Sequence, residues 1–271
     1  MDAALNFARD FVLWPAATLA GLGVVFMALE RRWPAVVNQP AWRRGTGLDL
    51  LLSFLNPIAV TPLTSLAITA AVSAVLVSVG FEALEAAQAR LGSWPFALQL
   101  LAALLLADFF AYWKHRAFHT SLLWPIHAVH HSAEQIDWLT NERDHPLQLL
   151  ATHVVIVVPL VLAGFSAEVI AVQAFARRAY SLYTHANVHW SYGPMGRIFV
   201  SPSLHRWHHA GDEEMAGKNF AVFFSFYDVL FGTYAMPVAD RRPARFGLPS
   251  SEQVSSLGAA LAYPFRGLRR I

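Results

Sequence analysis

The 271-residue sequence predicts an all-α integral membrane protein, with about four to five transmembrane helices and a cytoplasmic histidine-rich helical cap holding a dinuclear metal site. Three observations predict this class. Hydrophobic residues make up 56% of the chain and mean hydropathy is +0.41, above an ordinary soluble domain. Apolar stretches near the ~20 residues that span hydrocarbon recur along it. Ten of its 12 histidines fall into four spaced clusters, His115/His119, His127/His130/His131, His185/His189 and His205/His208/His209, an array suited to holding metal.

The elements follow in chain order. The start, with Asp2, lacks a charged secretory leader and a small-residue cleavage site, so the first helix is read as retained. Arg9, the sole basic residue before Arg31, argues against a mitochondrial leader. Phe11 to Leu29 carries no formal charge and is the first span. Leu48 to Val79 is too long for one straight span, and Asn56-Pro57 and Pro62 interrupt it. A kinked helix or short re-entrant piece before a crossing is expected there. Gly80 to Ser93, with Glu82 and Glu85, reads as a loop. Trp94 to Trp113 is bounded by interfacial tryptophans and runs into the first histidine pair. Leu147–Ala163 and Ala167–Tyr183 form a helical hairpin turning at Gly164-Phe165-Ser166.

Basic residues flank these spans at Arg31, Arg32, Arg43, Arg44, Lys114, Arg116, Arg177 and Arg178, and belong on the cytoplasmic side. If Leu48–Val79 crosses once, five spans place every histidine cluster there and Gly80–Ser93 outside. The tail from Arg241 to Arg270 is then cytoplasmic too. The division is residues 1–100 as an N-terminal transmembrane region, 101–236 as the histidine-rich domain and 237–271 as a basic tail. A net charge of +2, with basic residues beside apolar segments, suits anionic headgroups and gives no case for nucleic-acid binding.

Residues three or four apart project from one helical face, so each cluster can aim two or three imidazoles at one point. Adjacent pairs such as His130/His131 diverge, toward two neighbouring ions. Ten imidazoles exceed one metal's needs, since a structural zinc takes four ligands, so two metals share the set. Imidazole suits zinc, copper, iron and nickel alike, which leaves the metal open. Asp108, seven residues before His115 on the same face, lies in an apolar span where an unpaired carboxylate is costly. It is expected to accept a hydrogen bond from an imidazole and fix its tautomer, the alternative being an ion pair with Arg116 or Lys114. His145, before Pro146, reads as a ligand, a proton relay or a turn-stabilising residue. His153, in an apolar run, reads as a core histidine.

With no cysteine, the chain has no disulfide, cysteine-ligated iron–sulfur cluster or thiolate zinc site. His-Glu-x-x-His, Gly-x-Ser-x-Gly and phosphate-cradling glycine motifs are absent.

The segments Asp108-Phe-Phe-Ala-Tyr-Trp-Lys-His115-Arg-Ala-Phe-His119, His127-Ala-Val-His130-His131-Ser and His205-Arg-Trp-His208-His209 resemble the fatty acid hydroxylase/sterol desaturase superfamily. The similarity continues through Asp137-Trp138, Arg143-Asp-His145-Pro146, His185-Ala-Asn187, Asn219-Phe220 and Asp228-Val-Leu-Phe-Gly-Thr-Tyr234, covering roughly 101 to 236. Gly217 departs from it, standing where relatives commonly carry an acidic residue. The resemblance implies a membrane enzyme with two iron ions and dioxygen as co-substrate, hydroxylating a C–H bond of a lipid drawn from the bilayer. Desaturation by the same centre is the alternative, and non-catalytic metal binding or transport a third reading. The implied ligands are His115, His119, His127, His130, His131, His185, His189, His205, His208 and His209. Two electrons must come from a separate donor, a reductase, ferredoxin or cytochrome, and the implied location is a bacterial inner membrane with the metal site facing the cytoplasm.

Overall fold

A computed structural model describes residues 13–237, 241–248 and 253–266. Asp2, Arg9, Phe11 and Arg270, which enter the sequence reading, lie outside the described residues. Among the described residues the fold is helical, with two isolated antiparallel bridges, Pro34 with Val188 and Ala210 with Phe246, and no strand.

Helix α1 spans Trp14–Arg32, with Pro15 in its first turn, where a missing N–H costs nothing. Helix α2, Thr46–Val79, is 34 residues long and contains both Pro57 and Pro62. Of the two alternatives expected at these prolines, the separate re-entrant piece is corrected: a single helix continues through them. Its buried residues Leu52, Asn56, Val60 and Thr64 repeat every four positions, forming one stripe held against the rest of the fold. Such packing lets an apolar helix tolerate an internal proline. The expected loop after it is also corrected, because Phe81–Gly92 forms a helix, α3. Helix α4, Phe96–Phe118, starts after Pro95 and ends at His119. By length and composition, α2 and α4 are able to cross a membrane.

After the one-turn helix α5, Trp124–His127, the 3₁₀ turns His130–Ser132 and Trp138–Glu142 lead to α6, Pro146–Leu162. Helix α7, Ala167–His185, completes the predicted hairpin, with the Ser166 hydroxyl accepting from Val169 N at its start. Gly164 makes that hairpin possible: its φ is +94°, and a Cβ there would lie 2.6 Å from the Ala87 carbonyl carbon of α3. The remaining helices are α8, Pro202–His208, α9, Phe226–Leu230, and α10, Leu257–Ala262.

Helix α6 packs against both α2 and α4, and α4 against α7. Ala103, Ala107 and Ala111 lie four apart on α4, fully buried against Ile156 and Leu160 of α6 and Val169 of α7. Small side chains at that spacing let the helices approach closely. The C-terminal segment contributes more than charge, since Val254, Ala260 and Tyr263 pack with Leu48, Leu52, Ala128 and Val129. A buried ionic knot ties α2 to the turn before α6: Arg43 Nη2 donates to Asp49 and Asp137 at 2.6 Å each, and Arg143 Nε donates to Asp49 at 2.5 Å. This knot fixes the chain immediately upstream of α6, beside the histidines.

Candidate metal centre

Nine of the ten candidate histidines come together in two groups. His115 stands in the last turn of α4, His119 at its end and His127 at the end of α5. With His131 and His208 they form the first group, and His130, His185, His205 and His209 form the second. Within each group the candidate ligand nitrogens lie within 4.8 Å of one another. The adjacent pairs divide as their divergence predicts: His131 and His208 face the first group, His130 and His209 the second.

The hydrogen bonds of the rings decide what these groups can hold. A carbonyl oxygen only accepts, so a ring nitrogen bonded to one must carry the proton. His115 Nδ1 donates to Phe220 O at 2.8 Å, His127 Nδ1 to Gln148 Oε1 at 2.7 Å and His208 Nδ1 to Lys218 O at 2.9 Å. In the second group His185 Nδ1 donates to Ser181 O at 2.7 Å. The Nε2 atoms of these four neutral rings are therefore bare lone pairs. Yet His115 Nε2 and His127 Nε2 face each other at 3.0 Å, where two lone pairs repel. The buried Nε2 atoms of His119 and His208 have no hydrogen-bond partner among the described residues. Each such orphan costs about 1–3 kcal/mol. In the second group the Nε2 atoms of His130 and His205 lie 3.1 and 2.9 Å from the bare Nε2 of His185. A cation in each group removes the repulsion, and in the first group it also satisfies the orphaned Nε2 atoms, so the residues present fit metal.

Burial is the largest cause holding these rings neutral. It keeps His127, His131, His205 and His209 well below the ordinary 6.5. His208 is lowered to about 4 and His119 to about 2. For His119, repulsion from His208 adds to burial.

The carbonyls that orient His115 and His208 belong to the segment 218–220, and two buried carboxylates shape it. Asp228 accepts from Phe220 N at 2.7 Å, Ala221 N at 3.0 Å and Thr233 Oγ1 at 2.7 Å. Asp108, on α4, accepts from Phe224 N at 2.7 Å and Phe223 N at 3.1 Å. The imidazole hydrogen bond expected of Asp108 is thus corrected. Its nearest cation is Arg177, 3.9 Å away, in place of Lys114 or Arg116. Two backbone amides and a distant guanidinium compensate this fully buried carboxylate. Asn219, at φ +61°, closes the segment by pairing with Ala235 N and O at 2.8 and 2.7 Å. Gly217, at φ +69°, sits two residues before it.

His189 is the exception among the ten. It is exposed, donates from Nδ1 to Trp33 O at 3.2 Å and joins neither group. The reason is local: α7 ends at His185 and Ala186 turns out at ψ 147°, so the four-residue spacing to His189 is not helical. His145 caps α6, its Nδ1 accepting from Leu147 N at 3.1 Å, which is the turn-stabilising alternative. His153 faces Thr64 Oγ1 at 3.4 Å, outside both groups. Sequence reasoning missed Gln148, and the carbonyls of Ser181, Lys218 and Phe220. Gln148, a polar residue in an otherwise apolar helix start, carried a readable signal; backbone carbonyls carry none.

Fold and site together define a helical protein with two helices long and apolar enough to cross a membrane and a polyhistidine centre able to hold metal. The model of the fatty acid hydroxylase family matches residues 100–233, which include all nine converging histidines. Through that segment the chain is similar to the fatty acid hydroxylase family. It is 34% identical to the ornithine lipid hydroxylase OlsE of Rhizobium tropici, over 64% of this chain and 52% of that protein. It is 32% identical to the alkylglycerol monooxygenase of Homo sapiens, over 52% of this chain and 32% of that protein. A very-long-chain aldehyde decarbonylase of Oryza sativa is 30% identical over 50% of this chain and 52% of its own length. The chain thus spans about half or less of these relatives. No solved structure matches it.

Proposed function

We propose that the protein is a membrane-bound oxygenase that hydroxylates an unactivated C–H bond of a lipid, with two iron ions held by nine histidines. One observation carries the reading: imidazoles converge in two adjoining groups, with acceptors behind His115, His127, His208 and His185 fixing the tautomers that leave their Nε2 atoms bare. Its match to the fatty acid hydroxylase family over residues 100–233, and relatives named as a lipid hydroxylase and an alkylglycerol monooxygenase, support that reaction class. His115, His119, His127, His131 and His208 would hold one iron, and His130, His185, His205 and His209 the other. Bound there, the irons would supply dioxygen activation, for which redox-inert zinc is unsuited.

The chain's own residues prepare the site. Burial keeps the imidazoles neutral and able to ligate, and the acceptors behind His115, His127, His185 and His208 prevent a change of tautomer in those four rings. Trp124, with its ring centroid 5.2 Å from those of His119 and His131, and Phe220, 5.1 Å from His119, cover the first group with apolar surface that excludes water. Asp108 and Asp228 hold the 218–224 segment in register with α4.

In this proposal the 101–236 domain is the catalytic unit, the chain crosses the membrane four to five times, and the site faces the cytoplasm of a bacterial inner membrane. Lipid reaches it from the bilayer. Inserting one oxygen atom and reducing the other to water consumes two electrons, so a separate reductase, ferredoxin or cytochrome supplies them. The position of the histidines at helix ends and in the segments joining them favours this over transport, where ligands lie midway along repeated helices.

The test is incubation of iron-loaded protein with a lipid extract, a reductant and oxygen-18 gas. Mass spectrometry should find lipids gaining one labelled oxygen atom. Dehydrogenated lipid without label would replace hydroxylation by desaturation, and unchanged lipid would refute the oxygenase reading.

A further inference from the structure

One carboxylate outside the histidine set reaches both groups, the second directly and the first through Gln148. Asp144 Oδ1 accepts from Gln148 Nε2 at 2.5 Å and lies 3.2 Å from His130 Nδ1 of the second group. Gln148, in turn, accepts at Oε1 from His127 Nδ1 of the first group. His127 and His130 are stacked between these contacts, ring centroids 5.3 Å apart and planes 18° from parallel.

The order of cause runs outward in. An ionised carboxylate only accepts hydrogen bonds, so the Gln148 amide must turn its NH₂ toward Asp144. That turn leaves Gln148 Oε1, an acceptor, facing His127, which forces the proton onto Nδ1 and bares Nε2 for metal. The opposite amide orientation would set two oxygens against each other at 2.5 Å. It would also favour the wrong His127 tautomer.

The backbone around Asp144 is pinned from separate elements. Arg143 is bound to Asp49 of α2, the Asp144 carbonyl accepts from Asn56 Nδ2 of α2 at 3.0 Å, and His145 caps α6. None of these contacts is needed to build a helix hairpin, and together they aim one side chain.

We infer that Asp144 is a positioning residue that couples the two metal sites, fixing the His127 tautomer through Gln148 and placing its negative charge directly beside His130. This rests on the reading that the two histidine groups hold two metal ions. Removing groups that orient metal-bound histidines lowers metal affinity about 10–100-fold. Asp144→Asn, which keeps shape but lets either amide face meet Gln148, should weaken both sites by that factor. Gln148→Leu should weaken the five-histidine site alone.

The experiment titrates zinc into metal-free protein in mild detergent against a competing chelator, with helical circular dichroism of each metal-free variant as the control. Wild type should bind two zinc ions, Asp144→Asn should lose affinity at both and Gln148→Leu at one. Should the Asn variant misfold, Asp144→Ser gives the same test. In iron-loaded protein, loss of the negative charge should also raise the midpoint potential. Wild type binding fewer than two ions would overturn the two-metal reading and the inference with it. Two ions in wild type, with one or neither weakened by loss of the Asp144 charge, would overturn the inference alone.

Discussion

Whether an imidazole can bind metal depends on where a single proton sits, and backbone carbonyls set that proton here. Phe220 O and Lys218 O do so for His115 and His208, and Asp108 holds the segment that follows them. Asp108→Ala should therefore destabilise the fold by about 3–5 kcal/mol, the usual effect of breaking a buried charge pair, and reduce metal content. Asp108→Asn, keeping one acceptor, should lose less; thermal unfolding with metal analysis measures both. His189→Ala should retain full metal content and shift stability by less than about 0.5 kcal/mol, as an exposed position does. Loss of a metal ion in that variant would restore His189 to the ligand set. The neutral rings also set a pH dependence. His119 and His208, at about 2 and about 4 when folded, bind fewer protons folded than unfolded below pH 6.5. Stability of the metal-free protein should fall as pH drops through 6.5 and be insensitive to these groups above it, as thermal melts from pH 8 to 5 would register. Increasing stability on acidification would contradict the assigned neutral state.

At the scale of elements, four-residue spacing at a helix end predicted shared groups, as for His115 with His119 and His205 with His209, whereas His205 and His208, three apart, divide between the groups. His205, His208 and His209 sit on or at the end of α8, so their mutual directions followed from helical geometry. His185 to His189 has the same spacing, but the helix ends between them, and a lone sequence does not show that break at Ala186. Asp108 misled for a related reason: its chain neighbours suggested imidazole partners, whereas its actual partners are amides 115 and 116 residues away. Prolines 57 and 62 suggested a break because local propensity says nothing about the α6 surface packed alongside. The α6–α7 hairpin was legible from Gly164, whose importance is testable. Gly164→Ala incurs about 1–2 kcal/mol for a left-handed backbone, and its Cβ additionally meets the α3 backbone. A melt unchanged from wild type would refute the close contact between that turn and α3.

Across the whole molecule, the proposed five-span arrangement depends on α2 crossing once. Its 34 residues make a helix roughly 50 Å long, enough to exceed a hydrocarbon core of about 30 Å. Arg44 before it and Glu85 beyond it are both exposed. The chain contains no cysteine, so single variants Arg44→Cys and Glu85→Cys can be labelled without background. In inside-out vesicles a membrane-impermeant thiol reagent should label the first and spare the second. Labelling of both from one side would make α2 re-entrant and remove the five-span arrangement. The membrane class and histidine boxes were legible because composition and helical spacing are local properties. The two-group division was legible at the adjacent pairs, while the carbonyls and carboxylates that orient the rings arise only when distant segments meet.

The central claim is that nine histidines hold two irons that work together. The most direct measurement is iron analysis with Mössbauer spectroscopy of anaerobically purified, iron-57-labelled protein, before and after reductant and oxygen. A paired centre should show about two irons per chain, both oxidised together when oxygen is admitted to the reduced protein. One iron per chain, or two that do not respond to oxygen, would contradict it.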